Sequence, residues 1–141
     1  MKKLGVLTLL LSAIACTTPS QPGPSGTIAP GVQVETGREF DIAVGQEARV
    51  KGSNVVIRFR GVTNDSRCPS DVQCVWAGNA VAGFDLSGDG TADASLNTTL
   101  EPKSARYSGY TITLVGLKPA PKSGTPIPVL EYVATLRITA G

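Results

Sequence analysis

Apolar and polar residues alternate along much of the chain. In NVVIRFRGV, Val55, Ile57 and Phe59 fall on one side and Arg58 and Arg60 on the other. GYTITLVGL sets Tyr110, Ile112 and Leu114 against Thr111 and Thr113. LEYVATLRIT sets Leu130, Tyr132, Ala134, Leu136 and Ile138 against Glu131, Thr135 and Arg137. A period of two in β-branched and aromatic residues is the signature of half-buried strands. Shorter stretches of the same kind run from Glu39 to Val44, Glu47 to Val50, Asn79 to Leu86 and Thr91 to Asn97. Gly45-Gln46, Gly88-Asp89-Gly90 and KPAPKSGTPIP separate them as turns or loops. Residues 32–141 are therefore expected to form one all-β domain, an antiparallel β-sandwich or small barrel of about seven strands. Pro119, Pro121, Pro126 and Pro128 exclude a tight hairpin before the last strand, which is expected to follow a stiff, exposed and solvated loop.

The first 31 residues follow a different pattern. Lys2 and Lys3 precede an apolar run from Leu4 to Ala15, too short to span a bilayer as a helix, which needs ~20 residues. That layout is an export signal. Its last residues, Ala13-Ile14-Ala15-Cys16, resemble the lipobox of bacterial lipoproteins, with Ala13 where leucine is usual. The resemblance implies a signal peptide over 1–15, cleavage before Cys16, and acylation of Cys16 with chains such as palmitate. An ordinary secretory signal that happens to precede a cysteine is the alternative. Residues 16–31 would then be the lipidated cysteine and a Pro/Gly/Ser/Thr-rich linker, expected to stay extended and solvated. The same resemblance implies an outer-membrane location, because Thr17 stands where aspartate favours inner-membrane retention in lipoproteins of two-membrane bacteria.

Charge narrows the partners. The chain has 13 Lys and Arg against 11 Asp and Glu; loss of Lys2 and Lys3 with the signal leaves 11 against 11. Arginines are scattered rather than clustered, so the concentrated positive charge that nucleic acid requires is missing from the sequence. The chain contains no histidine, which excludes Ser-His-Asp and Cys-His relays and His-ligated metals. No cofactor is expected, and a carboxylate pair is the main catalytic chemistry left open.

With Cys16 lipidated, Cys68 and Cys74 remain as an even pair in an exported protein. A disulfide between them would close a short loop and stabilise by roughly 2 kcal/mol. The alternative, a metal site, has to contend with C-x5-C spacing in place of the usual C-x2-4-C. Around the pair lies the densest constellation in the chain, NDSRCPSDVQCVWAGNA, residues 64–80, with the sole tryptophan. It resembles a D-S-R-C-P-x(4)-C-x-W-A-G motif of bacterial exported proteins and lipoproteins; the resemblance extends over most of residues 54–139 and implies architecture without any particular chemistry.

Two readings of this segment are open. In one, Arg67, Asp71 and Trp76 form a binding loop, arginine and tryptophan being enriched in interaction hot spots. In the other, the expected one, Trp76 plugs the end of the sandwich and Arg67 pairs with Asp65 or Asp71. A weaker candidate is DLSGDGTAD, where Asp85, Ser87, Asp89 and Asp93 match early ligand positions of a calcium loop. Leu96 stands where such a loop needs its bidentate glutamate, and a hairpin turning at Asp89-Gly90 explains the same residues.

Together these features point to an envelope lipoprotein whose sandwich binds or braces without catalysis. Its expected partners are the membrane, through the N-terminal lipid, and an envelope or exported protein. An inhibitor or chaperone-like module acting on an exported protein is the alternative, and a carboxylate-dependent hydrolase the third.

Overall fold

The computed structural model describes residues 31–141; the signal segment, Cys16 and all of the linker before Gly31 lie outside the described residues. Nine strands follow in order: β1 (Val32–Val34), β2 (Glu39–Ala43), β3 (Glu47–Val50), β4 (Val56–Asp65), β5 (Ala80–Ser87), β6 (Thr91–Asn97), β7 (Ser104–Tyr107), β8 (Tyr110–Lys118) and β9 (Val133–Ala140). They form a five-stranded sheet of order β1-β3-β4-β5-β6 and a four-stranded sheet of order β2-β9-β8-β7. Neither sheet closes on itself, so the fold is a sandwich rather than a barrel. All pairings are antiparallel except β1 with β3.

The alternating residues turn inward as a period of two requires. Ile57 and Phe59 of β4 and Phe84 and Leu86 of β5 face Ile112 and Leu114 of β8 and Leu136 and Ile138 of β9, all buried. Phe59 and Phe84 stack at the centre with ring centroids 5.1 Å apart. Each fully buried side chain of this size contributes roughly 1.5–3 kcal/mol, so this layer supplies the main cohesion of the domain.

Two strands exceed the expected seven: β1 and β7, three and four residues long, are too short to show alternation in sequence. Leu130 also departs from expectation. Instead of entering the last strand facing inward, it sits in a 3-10 turn, Val129–Glu131, and is exposed. Pro128 has no N–H to give to a ladder, and its carbonyl accepts from Glu131 N at 2.9 Å, so the chain turns once more before β9 begins.

Strand directions give the sandwich two distinct ends. β1 and β3 run away from one end, named the Gly31 end although Gly31 itself stops beside Glu47, level with Arg58 and seven residues short of the end of β4. β4 runs toward that end and β5 leaves from it; β8 arrives there and β9 leaves. This end therefore carries the turn 44–46, the long β4–β5 connection 66–79, the β6–β7 connection 98–103 and the β8–β9 connection 119–132. The opposite end carries the connections 35–38, 51–55, 88–90 and 108–109.

Candidate functional site

The segment singled out in the sequence, residues 64–80, lies at the Gly31 end. Beyond Asp65 the β4–β5 ladder continues for two more backbone bonds: Ser66 N donates to Asn79 O at 2.7 Å and Cys68 N to Ala77 O at 2.9 Å. Residues 69–76 then project past the last of these ladder bonds, and residues 70–76 are exposed. The Cys68–Cys74 disulfide closes this projection, with Cα atoms 5.9 Å apart.

At the base of the loop, Arg67 makes a planar, two-pronged contact with Asp65: Nε donates to Oδ1 at 2.9 Å and an η-nitrogen to Oδ2 at 2.7 Å. The same guanidinium donates to the carbonyls of Leu117 at 2.7 Å and Pro119 at 3.0 Å. From the β9 side, Tyr132 OH donates to Asp65 Oδ2 at 3.0 Å. The two charged side chains are only 13% and 11% exposed. Their fork geometry uses the fixed donor array of arginine, and it joins four segments: the end of β4, the disulfide loop, the end of β8 and the start of β9.

The carboxyl of Asp65 feels two opposing influences. Burial pushes its pKa up; hydrogen bonds from the Arg67 side chain and backbone, the Arg67 charge and the Tyr132 hydroxyl outweigh it and hold the group below the ordinary aspartate range. Tyr132 is raised above the ordinary phenol range by burial first, then by its bond to Asp65 and the negative charge there.

The disulfide loop is also zipped to the Pro-rich β8–β9 connection. Ser70 N and Oγ both donate to Pro121 O, at 2.8 and 3.2 Å, and Ser123 N donates to Asp71 Oδ1 at 2.9 Å. The Pro-rich stretch is mostly exposed, as expected, and its first part is tied to the disulfide loop at Pro119, Pro121 and Ser123. Between the two loops lies an open cleft of about 520 Å³ floored by Asp65, Arg67 and Tyr132.

The three residues expected to act together are separated by the structure. Arg67 is occupied as a clamp, paired with Asp65. Asp71 is exposed and ties the two loops together. Trp76 is 82% exposed and its neighbour Val75 91% exposed. The expected core plug is therefore not Trp76. Residues 75 and 76 lie on the projecting part of the loop, and the buried aromatic at this end is Tyr132, 8% exposed.

Two organising residues escaped the sequence reading. Tyr132 turns inward as its alternation predicts, but nothing near it in sequence points to Asp65. Asn79 donates to Asn97 Oδ1 at 2.8 Å, while its own Oδ1 accepts from Thr99 N at 3.0 Å and Leu100 N at 3.3 Å, shaping the 98–103 connection. Its position directly after Trp-Ala-Gly was the available signal.

The calcium candidates sit at the other end, in the β5–β6 hairpin. Ser87 pairs with Thr91 and Asp85 with Asp93 across the ladder, and the turn is Gly88-Asp89-Gly90. Asp89 accepts from Asn54 Nδ2 at 2.7 Å and Asp85 meets Arg60 at 3.3 Å. Among the described residues, no three His, Cys, Asp or Glu side chains converge as metal ligands. The hairpin accounts for these residues.

No protein-family model, curated protein or solved structure matches this chain.

Proposed function

We propose that the protein is a cell-envelope lipoprotein, held at the outer membrane by acyl chains on Cys16, whose β-sandwich is a non-catalytic binding module with its loop end as the binding surface. The observation that carries this reading is Trp76, 82% exposed on a loop braced by a disulfide and by the Arg67 clamp. A large aromatic displayed on a rigid loop has little ordering entropy left to lose on binding and is of the type that dominates interaction energies. The carboxylates nearest the cleft are committed to structure, Asp65 to Arg67 and Tyr132 and Asp71 to Ser123. This gives a hydrolase less support than a binding module. The basic-apolar-cysteine layout at residues 1–16 supports the lipid anchor.

Growth with a clickable fatty-acid analogue tests the anchor. The wild-type chain takes up label and Cys16→Ser does not; an unlabelled wild type rejects the lipoprotein reading. The binding surface is tested by complementing a gene deletion. Trp76→Ala, present in the membrane at wild-type level, should fail to restore the deletion phenotype. Full restoration would remove the loop from the function.

A further inference from the structure

We infer that the loop end of the sandwich docks on the lipid–water interface of the membrane that carries the anchor, an inference that rests on the lipoprotein reading above and names the partner of that same surface. The exposed large apolar side chains are distributed very unevenly. Among the described residues, six of the eight, Val72, Val75, Trp76, Leu100, Val129 and Leu130, belong to the three long connections at the Gly31 end; Val32 opens β1 and Val115 lies on β8. At the opposite end the connections are polar or glycine: Glu35-Thr36-Gly37-Arg38, Lys51-Gly52-Ser53-Asn54, Gly88-Asp89-Gly90 and Ser108-Gly109, with only Val55 as a large apolar residue, and that one buried.

β1 runs away from the apolar end, so the chain enters the domain from that side. Gly31 lies beside Glu47, level with Arg58 of β4, and is the fifteenth residue after Cys16. At no more than ~3.6 Å per residue, that segment limits the domain to about 50 Å from its anchor. Such a tether keeps the loop end at an effective concentration of order millimolar with respect to the bilayer surface, so a weak interfacial preference is enough to seat it. Tryptophan has that preference, its ring being apolar with one polar N–H.

Charge favours a lipid surface read by apolar contact rather than by headgroup sign. The three long connections carry Arg67, Lys103 and Lys122 against Asp71, Glu101 and Glu131, a balanced set. Polybasic attraction to anionic lipid is thus not what seats the end, and docking should depend little on anionic lipid content or salt.

Trp76 is the sole tryptophan, so its fluorescence reports the docked face directly. The full chain is purified from membranes, Cys16 is checked for acyl groups by mass spectrometry, and the protein is reconstituted into phosphatidylcholine vesicles, with and without phosphatidylglycerol. Docking predicts blue-shifted emission, several-fold weaker quenching by acrylamide than in the Val129→Ser/Leu130→Ser variant, and quenching by lipids brominated on their acyl chains, alike in both vesicle types. Acylated protein whose Trp76 stays open to acrylamide and is untouched by brominated lipid overturns the docking and leaves the anchor standing. Protection from acrylamide without quenching by brominated lipid also overturns it, in favour of a protein contact. An unacylated Cys16 removes the anchor and the docking with it.

Discussion

Gly78 lies directly against the backbone of Ser66: a Cβ on Gly78 would stand 1.8 Å from the Ser66 carbonyl oxygen and 2.8 Å from Arg67 Cα. Its φ of +68° is in the left-handed region as well. The glycine of the Trp-Ala-Gly sequence thus lets the two arms of the disulfide loop close onto one another, which sets the register of Ser66 against Asn79 and the approach of Arg67 to Asp65.

Gly78→Ala is accordingly expected to cost about 3 kcal/mol or more, the clash adding to backbone strain. Gly124, at φ +66° with open space around its Cβ position, provides the comparison; Gly124→Ala should cost only about 1–2 kcal/mol. Urea denaturation of the two variants checks this, and equal losses would mean that the contact with Ser66 is unimportant.

Removing either half of the clamp strands a mostly buried charge. Arg67→Ala is expected to destabilise by about 3–5 kcal/mol, and Asp65→Ala by a similar amount. The double variant should lose much less than the sum, because neither charge is then left alone. Arg67→Lys should recover little, since a lysine ammonium cannot reproduce the two-pronged contact while also reaching the carbonyls of Leu117 and Pro119. Additive losses in the cycle would show that the pair does not act as a unit.

Acid and alkali should weaken the same node from opposite sides. The Asp65 carboxyl is held below its ordinary value in the folded state, so its stabilisation is present above the unfolded value, near pH 4, and is lost as pH falls through the lowered folded value. Tyr132 is raised, so its stabilisation is present below the unfolded value, near pH 10, and is lost as pH rises through the raised folded value. Asp65→Asn should flatten the acid limb of stability against pH, and Tyr132→Phe the alkaline limb. Melting temperatures across the range check both; wild-type slopes in the variants would place the titrating groups elsewhere.

Exposure of Trp76 separates display from packing. Trp76→Ala is expected to change stability by no more than about 0.5 kcal/mol, whereas Tyr132→Ala should cost about 3–5 kcal/mol. In aqueous buffer without lipid, wild-type emission should be red-shifted and readily quenched by acrylamide. Blue-shifted, protected emission there, with a large loss in Trp76→Ala, would return the tryptophan to the core.

Much of the sandwich was legible along the chain because burial in a strand is written at a spacing of two. Ile57 with Phe59, and Leu136 with Ile138, reveal their strands within a few residues. The Cys68–Cys74 pair was legible for a similar reason, its partners lying in one short loop. β1 and β7 were not, being held by neighbours rather than by any alternation of their own. Nor was the position of Trp76: an aromatic beside a cysteine reads equally as plug or as display until the point where the ladder ends is known. That Tyr132 would bond Asp65, 67 residues earlier, and that Val75, Leu100 and Leu130 would gather at one end, follow from strand order and direction. Those are properties of how two sheets face one another, and each depends on contacts between segments that carry no local record of their partner.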